Sequence, residues 1–376
     1  MLRFLTAGES HGEKLIGILE GIPSNLKIDE KFINHELLRR KMGYGRSNRM
    51  KIESDKVKIL SGINEYYYTT GAPLALEIIN LGKEIPKVDY LEPRPGHADL
   101  AGLIKYNQPD AKYIMERASA RETAMRTTIG AICKLFLSEF GIKIYSHVIS
   151  INDVESSTNY YDSSSDIDYS IADNSVLRMI DTKAEKEAVE KINLAIKNGF
   201  TLGGKVEIIG TGVPIGLGSH IQWDKRLDSK IAQSMMSIPG IKSVEIGLGE
   251  KIKNLYGNYA NDEVFYDKVR GYYRKTNFSG GIEGGMSNGE DIVIRLTMKP
   301  LPTQANPLKT VHINTKEETL AFSQRSDVCA VASMSIVAES MLAISLSDSF
   351  LEKFSGDSLE ETKKNFTNYK NYIDKR

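Results

Sequence analysis

The stretch S-A-R-E-T-A-M-R-T-T-I-G-A-I-C-K-L-F-L-S-E-F, residues 119–140, carries the strongest helix pattern in the chain. Its apolar residues recur at helical spacing, and Gly141 follows it, a residue type that commonly ends a helix. Outward from this segment in both directions, strand-like and helix-like stretches are interleaved. Interleaving of this kind predicts an α+β or layered α/β fold.

Apolar patterns mark the other elements. Strand-like segments lie within residues 1–20, around a glycine-containing turn, and at 57–61, 73–80, 203–212, 243–247 and 291–298. Helices are predicted at 29–41, opened by Asp29, at 182–199, opened by the capping-box pattern Thr182-x-x-Glu185, and near 227–236 and 334–353. Residues 152–175 lack an apolar period and are expected to form an exposed, partly mobile, peripheral excursion. The polar tail, 357–376, is expected to fray.

Composition narrows the class of protein. The chain has 376 residues, which allows two domains or one large multilayer domain, and no clear linker divides it. The 49 basic residues balance the 49 acidic ones, which argues against a general binder of nucleic acid or membrane surfaces. No stretch resembles a signal peptide or a membrane span of about 20 apolar residues. Cys133 and Cys329 lie far apart, which favours free thiols over a disulfide and a reduced, cytoplasmic protein.

Two loops combine a histidine with a sharp turn. R-P-G-H-A-D at 94–99 places Arg94, His97 and Asp99 around a Pro-Gly bend, and G-E-S-H-G at 8–12 places His11 between a serine and a glycine. Unperturbed imidazole titrates near ~6.5, so two such histidines suit a reaction that needs two proton donors. A lone loop histidine is more often a hydrogen-bonded structural residue, and Asp99 could orient its loop or cap the following helix.

Arginines recur beside these loops. The guanidinium fork binds carboxylate and phosphate groups through two hydrogen bonds, so this set indicates a small ligand with several anionic groups. The arginines concerned are Arg39, Arg40, Arg46, Arg49, Arg94, Arg117, Arg121 and Arg325. Ordinary ion pairs are an alternative for each of them. A basic patch for RNA is an alternative for residues 39–51, where Tyr44 is interleaved with cations.

Other motifs exclude familiar chemistries. The glycine-rich stretch at 279–289 is not a Walker or Rossmann loop, and either a structural hairpin or close approach to a flat or phosphorylated cofactor is compatible with it. H-x-x-x-H and C-x-x-C are absent, so no metal site is predicted. No G-x-S-x-G elbow appears.

Ten segments together resemble one family, the chorismate synthases. They follow one another in the family's order through nearly the whole chain. The matching runs are G-E-S-H-G (8–12), R-R with G-Y-G-R-S-N-R-M (39–50), D-K-V-K-I-L-S-G (55–62), R-P-G-H-A-D (94–99), R-A-S-A-R-E-T-A (117–124), W-D-K-R-L-D (223–228), M-S-I-P-G-I-K-S-V-E-I-G (236–247), G-G-I-E-G-G-M-S-N-G (280–289), K-P-L-P-T (299–303) and R-S-D-V-C-A-V (325–331).

The resemblance implies a fold and a reaction. The fold is a layered β-α-β sandwich in one catalytic domain, residues 1–356, assembled as a homotetramer. The reaction is the 1,4-elimination of phosphate from 5-enolpyruvylshikimate 3-phosphate to give chorismate, the last step of the shikimate pathway that feeds aromatic amino acid biosynthesis. Reduced FMN is required although no net redox change occurs, and NADPH is a possible source of its electrons. The long insertions of bifunctional fungal members are absent, which favours a separate flavin reductase as the supplier.

The resemblance also assigns site residues. His11 and His97 match proton donors, to the leaving phosphate and to the reduced flavin, and Asp327 matches an acid near the flavin. Substrate-binding arginines match Arg40, Arg46, Arg49, Arg94, Arg121 and Arg325. Cofactor-contacting positions match Arg40, Arg46, Arg117, Ala118, Ser119, Pro239, Gly240, Gly284, Lys299, Pro300, Leu301, Pro302, Thr303 and Arg325. Two other functions remain open at this point, an RNA-binding protein and a flavin reductase with net redox turnover.

Overall fold

The computed structural model describes residues 2–46, 55–81, 89–161, 167–269, 271–323 and 327–375. Its strands are β1 (Arg3–Ala7), β2 (Lys14–Glu20), β3 (Val57–Ser61), β4 (Leu74–Ile79), β5 (Lys143–Ile151), β6 (Val154–Glu155), β7 (Gly204–Thr211), β8 (Ile241–Ile246), β9 (Val264–Asp267), β10 (Gly271–Arg274), β11 (Ile282–Glu283), β12 (Met286–Ser287), β13 (Ile292–Met298), β14 (Lys309–Val311) and β15 (Glu318–Leu320). Its α-helices are α1 (Glu30–Lys41), α2 (Asp99–Tyr106), α3 (Lys112–Ala118), α4 (Thr123–Ser138), α5 (Ser170–Asn174), α6 (Thr182–Asn198), α7 (Leu227–Met236), α8 (Gly257–Ala260), α9 (Val331–Phe354) and α10 (Leu359–Ile373).

Two antiparallel sheets enclose a layer of helices. The first sheet has the strand order β1-β2-β4-β3, and the second has the order β6-β5-β7-β13-β8. Between them α4 contacts β1 and β2 on one side and β5 on the other, while α9 packs on β5, β7 and α4. The apolar faces of all three layers form one continuous core. This is the β-α-β sandwich that the sequence predicted.

The two central helices cross at very short range. A Cβ atom on Gly130 of α4 would lie 2.3 Å from the Cβ atom of Ser340 on α9, closer than two carbon atoms can approach. Only glycine at this position lets the helices meet at their present separation. The glycine inside the 119–140 helix pattern therefore has a packing role.

The segment 119–140 is not one continuous α-helix in the structure. Ser119 has an extended backbone, with φ −64° and ψ 141°, and its hydroxyl accepts a hydrogen bond from the backbone N–H of Arg121. Residues 120–122 then form a single 3₁₀ turn before α4 begins at Thr123. The predicted helix start at 119 is therefore wrong by four residues, because the serine side chain caps the short turn instead of continuing a helix.

The capping box predicted for the helix at 182 is also wrong. Asp181 is the residue before the helix, and its carboxylate accepts hydrogen bonds from the backbone N–H groups of Lys183 and Ala184. Glu185 instead binds the hydroxyl of Ser175, and its Oε1 atom accepts from the N–H of Leu177 at 3.2 Å. An aspartate one position earlier satisfies the free N–H groups, so the glutamate can hold the preceding loop.

Residues 152–175 are more ordered than the sequence predicted, as far as they are described. β6 pairs with β5 at the edge of the second sheet, and α5 follows at Ser170–Asn174. The ring of Tyr161 lies 4.9 Å from the guanidinium carbon of Arg295, and the side chain of Asn159 accepts a hydrogen bond from the same guanidinium. The segment thus covers charged groups on the outer face of this sheet.

The expectation of a frayed tail is wrong for residues 359–373. They form α10, whose first turn is capped by Ser358. Phe366 and Tyr369 pack against the core, and the Phe366 ring centroid lies 5.3 Å from that of Phe350 on α9. Apolar residues spaced along one face of an otherwise polar helix are sufficient to dock it.

Both cysteines and the longest helix are buried. Cys133 and Cys329 are free thiols, as predicted. In the described part of the chain, α9 is the helix long and apolar enough to span a membrane by length and composition, and 94% of that apolar stretch is buried within the fold. The burial of α9 between the sheets accounts for its composition.

Candidate active site

A cavity of about 520 Å³ opens where several loops meet beside the helical layer. Loops from both sheets, the break between α3 and α4, and the start of α9 all line it. Its wall combines cations, both loop histidines and an apolar side. The predicted residues on it are His11, Arg40, Arg46, Arg94, His97, Ala118, Ser119, Arg121, Pro239, Gly240, Lys299, Pro300, Leu301, Pro302, Thr303 and Asp327.

His11 is fixed in the cavity wall by a carboxylate from another element. Its Nδ1 atom lies 2.8 Å from Oε1 of Glu116 on α3, and its backbone N–H donates to Oε2 of the same side chain at 2.7 Å. Asn80 holds the loop from the other side by donating to the carbonyl oxygens of Glu9 and Gly12. The loop therefore has little freedom, and the imidazole position is set by α3 as much as by its own neighbours.

His97 has a matching arrangement within its own loop. Gly96 has a φ of +78°, and the N–H of His97 donates to the carbonyl oxygen of Arg94 to close the turn. The Nδ1 atom of His97 pairs closely with Oδ1 of Asp99. Asp99 is nearly fully buried and begins α2, but its side chain does not cap that helix. Of the two structural roles considered for Asp99, orienting the loop is the one the structure shows.

Arg94 connects this loop to the cavity wall. Its Nε atom donates to Oδ2 of Asp99 at 2.9 Å, and Nη1 donates to the hydroxyl of Thr303 at 2.7 Å. Nη2 lies 3.0 Å from Nδ1 and 3.3 Å from Nε2 of His97. Burial alone would raise the pKa of Asp99, but the hydrogen bonds from His97 and Arg94 and the charge of Arg94 hold it well below its usual value. Asp99 is thus a permanent anion against the histidine.

Arg40 and Arg121 share a second buried carboxylate. Nη1 of Arg121 donates to Oδ2 of Asp55 at 2.8 Å, and Nη1 of Arg40 lies 3.9 Å from the same oxygen. Arg40 also donates to Thr123 and to the carbonyl oxygen of Ala120. Burial would raise the pKa of Asp55, yet the hydrogen bond and charge of Arg121 keep it below its usual range. Two cations against one anion leave a net positive wall.

Arg46 and Asp327 form an ion pair just before the start of α9. The Nη1 atom of the arginine lies 2.9 Å from Oδ2 of the aspartate. The Nε atom of Arg46 is buried and has no hydrogen-bond partner among the described residues. On another side of the cavity, Lys299 donates to the carbonyl oxygen of Gly96. Burial and the nearby charge of Lys242 lower the pKa of Lys299.

Two of the predicted cofactor-contacting residues, Arg117 and Gly284, do not line this cavity. The Arg117 side chain turns toward β1, where it donates to the carbonyl oxygens of Thr6 and Gly8. Gly284 lies in the two-residue turn between β11 and β12, where it and Gly285 both have positive φ, as a tight hairpin requires. The hairpin alternative considered for 279–289 is the one observed within a single chain. Arg49 and Arg325 lie outside the described residues.

Two cations of the basic patch at 39–51, Arg39 and Arg40, point into the protein. Arg39 pairs with Glu339, Glu36 and Asp173 in a network that is largely buried. Arg40 is 3% exposed and faces the cavity wall. These side chains do not offer a surface to a nucleic acid.

Sequence reasoning missed the residues that support the histidines and the apolar wall. Glu116, Asp55 and Asn80 act on the site from positions distant in sequence. The apolar lining residues are Met115, Ala120, Ile238, Met298, Ala330, Met334 and Val337. The only local signals were that Asp55 opens one quoted run and that Glu116 directly precedes another. In the described residues, no group of three or more His, Cys, Asp or Glu side chains is arranged to hold a metal ion.

Fold and site together define a class: a β-α-β sandwich protein whose cavity is lined by four arginines and by two histidines that each contact a carboxylate. The family model described as chorismate synthase matches residues 2–351. The chain is 50% identical to the chorismate synthase of Thermoanaerobacter pseudethanolicus, with 99% of each chain covered. It is 49% identical to that of Aquifex aeolicus, covering 99% of this chain and 98% of the relative.

A solved structure gives the same result for the fold. The crystal structure of a chorismate synthase superposes with a TM-score of 0.82 at 43% identity, covering 100% of this chain and 99% of the other. The chain belongs to the chorismate synthase family. The predicted fold class and family resemblance are thereby confirmed.

Proposed function

We propose that this protein catalyses the 1,4-elimination of phosphate from 5-enolpyruvylshikimate 3-phosphate to give chorismate, with reduced FMN bound in the same cavity. The observation that carries the proposal is the meeting of two carboxylate-held histidines and four arginines on one cavity in a chain of this family. The substrate has a phosphate and two carboxylates. Several fixed guanidinium groups match three anionic groups better than a single anion site would.

The cavity fits a flavin by its chemistry. The wall includes the apolar side chains of Met298, Met334 and Val337, which suit a flat ring system. The wall also carries cations, and the buried Nε atom of Arg46 has no partner in the described chain. Residues that would hold the cofactor are Ala118, Ser119, Pro239, Gly240, Lys299, Pro300, Leu301, Pro302 and Thr303, with Arg40 and Arg46. Reduced FMN supplies an electron-rich ring beside the substrate when bound.

The chain's own residues perform binding and proton transfer. Arg40, Arg46, Arg94 and Arg121 bind the substrate's anionic groups and orient the ring for elimination. His11 donates a proton to the leaving phosphate as its carbon–oxygen bond breaks. His97 holds a proton for the flavin side of the cavity. Asp327 helps to move the proton that leaves the substrate carbon away from the cavity, so the proton lost from carbon balances the one given to phosphate.

Partners and location complete the proposal. We infer a cytoplasmic homotetramer that receives reduced FMN from a separate reductase, with NADPH as the distant electron source. Oxidation of NADPH by the purified protein in the presence of FMN would contradict the separate reductase. Sedimentation at micromolar concentration measures the assembly state directly, and a monomer would contradict the tetramer.

The reaction itself is tested by anaerobic incubation with 5-enolpyruvylshikimate 3-phosphate and chemically reduced FMN. We expect phosphate release at a rate proportional to protein concentration. Folded protein that releases no phosphate above the protein-free control would contradict the proposal.

A further inference from the structure

Both cavity histidines are held in the same way, although they lie on unrelated loops. His11 contacts Glu116 through Nδ1, and His97 contacts Asp99 through Nδ1. Each carboxylate also uses its second oxygen to accept a backbone N–H of the same histidine loop. Glu116 accepts from the N–H of His11 at 2.7 Å, and Asp99 accepts from the N–H of Arg94 at 3.1 Å.

We infer that Glu116 and Asp99 are positioning residues that fix both imidazoles as the Nδ1–H tautomer, so that Nε2 is the nitrogen that exchanges protons, at His97 beside the guanidinium of Arg94, whose Nη2 atom lies 3.3 Å from it. The role given to Nε2 rests on the proposed function, whereas the tautomer is a property of the protein alone. Neither carboxylate touches the reacting atoms in this account. Each acts through its histidine.

The hydrogen-bond inventory leads to this tautomer. An ionised carboxylate has no proton to donate, so a short contact to a ring nitrogen requires that nitrogen to carry the hydrogen. The depressed pKa of Asp99 keeps it ionised. Because the second oxygen is engaged by a backbone N–H, the carboxylate cannot rotate without breaking a second bond. The ring orientation and the protonated nitrogen are therefore set together.

A third buried histidine shows the opposite arrangement. His147, on β5, contacts Oε2 of Glu207 through Nε2 at 3.0 Å. It is fully buried and does not line the cavity. The same argument assigns it the Nε2–H tautomer. The histidine–carboxylate pair that links two strands of the second sheet therefore uses Nε2, whereas the two pairs at the cavity both use Nδ1.

Glu116→Gln is the sharpest variant, because it keeps size and shape. The amide oxygen must face the backbone N–H of His11, which can only donate, so the amide NH₂ faces Nδ1. Nδ1 must then act as acceptor, and the ring changes to the Nε2–H tautomer. The protonated form of His11, which donates the proton in the proposed reaction, also loses the negative charge of Glu116 beside it.

The direct test is nitrogen NMR of ¹⁵N-histidine-labelled full-length protein, without ligand, at a pH where the imidazoles are neutral. In the wild type we expect Nδ1–H signals for His11 and His97 and an Nε2–H signal for His147 as internal reference. Glu116→Gln should convert only His11, and the exposed Glu13→Gln on the same loop should convert none. An Nε2–H tautomer for His11 in the wild type overturns the inference even if the variants fail to fold, and so does an unchanged His11 in folded Glu116→Gln.

A kinetic readout separates this inference from the proposed function. In anaerobic turnover, Glu116→Gln should lower kcat by about 10²-fold or more, within the range of about 10²–10⁴ for losing general acid catalysis, with little change in KM. Glu13→Gln should match the wild type. If the wild type releases no phosphate, the proposed function fails while the tautomers still decide the inference. If Glu116→Gln converts His11 yet keeps wild-type kcat, the positioning role is wrong.

Discussion

The two cavity histidines differ from each other in how far away in sequence their carboxylate partners lie. His11 depends on Glu116, which is 105 positions away in sequence, and on a loop held by Asn80. His97 depends on Asp99, two positions away. The His11–Glu116 pair forms only when the chain is folded, whereas both members of the His97–Asp99 pair belong to the hexapeptide 94–99. Both give a ring with a fixed orientation at the cavity.

His11→Ala and His97→Ala should each reduce kcat by about 10²–10⁴-fold, because each removes a proposed proton donor from the cavity wall. Anaerobic turnover with reduced FMN measures the loss. His35→Ala is the matched control, since His35 is exposed on α1 and does not line the cavity. Wild-type turnover in both cavity variants would show that the proton-donor roles are wrong.

Site residues could be predicted from the sequence where their contacts are local, and could not where the contacting residues are distant in sequence. Loop residues such as His97 and Arg94 carry glycine and proline beside them, and that local chemistry marks a turn with chemical groups on it. Glu116 lies on a helix whose sequence shows nothing unusual, so only its contact across the fold distinguishes it. The contact of the Arg117 side chain with β1 could not be predicted either, because a sequence gives no side-chain direction for a residue at the end of a helix.

At the scale of elements, the close crossing of α4 and α9 determines how the helical layer packs between the two sheets. Both helices present small residues to each other, Gly130 and Ser340, so their backbones approach closely. The cavity lies beside this crossing, lined by the start of α4 and by the first turns of α9. A change in the separation of these helices would therefore also move Thr123 and Met334 in the cavity wall.

Gly130→Ala should destabilise the protein by about 1–3 kcal/mol or more, because the added methyl group overlaps Ser340 and the helices must separate. Thermal and denaturant unfolding measure the effect. Gly257→Ala is the control, since a Cβ at Gly257 meets no atom within 4 Å. Equal unfolding midpoints for the two variants would contradict the account of the crossing.

Several elements were predicted accurately from their local apolar patterns. The helix at 30–41, capped by Asp29, and the strand at 292–298 were found within about one residue of their predicted bounds. Errors arose where one side chain competes with a backbone pattern, as at Ser119 and Asp181. The tail helix was missed because its apolar residues are few, and its stability comes from docking Phe366 against the core.

At the scale of the whole molecule, buried carboxylates beside cations determine the response to acid. Burial alone would raise the pKa of Asp55, Asp99 and Glu339, but hydrogen-bond donors and cations beside them keep each below its usual value. Protons therefore bind these groups more weakly in the folded chain than in the unfolded one. Their contribution to stability is complete above the unfolded pKa of about 4 and is lost as the pH falls toward the folded values.

We therefore expect the free energy of unfolding to change little through these groups between about pH 6 and 8 and to fall steeply below about pH 4. Denaturant unfolding at a series of pH values measures it. Asp99→Asn should flatten this acid decline because it removes one of the titrating groups, whereas the exposed Glu65→Gln should not. A wild-type stability that stays constant down to about pH 2 would contradict the assignment.

The layered architecture followed from interleaved strands and helices, but the site needed all layers at once. The cavity joins loops from the first sheet, the break before α4, the end of β13 and the start of α9. No single segment predicts that these loops converge. The order of ten family-like segments carried that information, because relatives with the same order share the fold.

The cavity is proposed to perform a redox-neutral elimination. The most direct measurement is the stoichiometry of anaerobic turnover, with phosphate, chorismate and the flavin absorption spectrum followed together. We predict equal amounts of phosphate and chorismate for each substrate consumed, with the FMN still reduced at the end. Absence of phosphate release from folded protein, or oxidation of FMN in proportion to product, would contradict the claim.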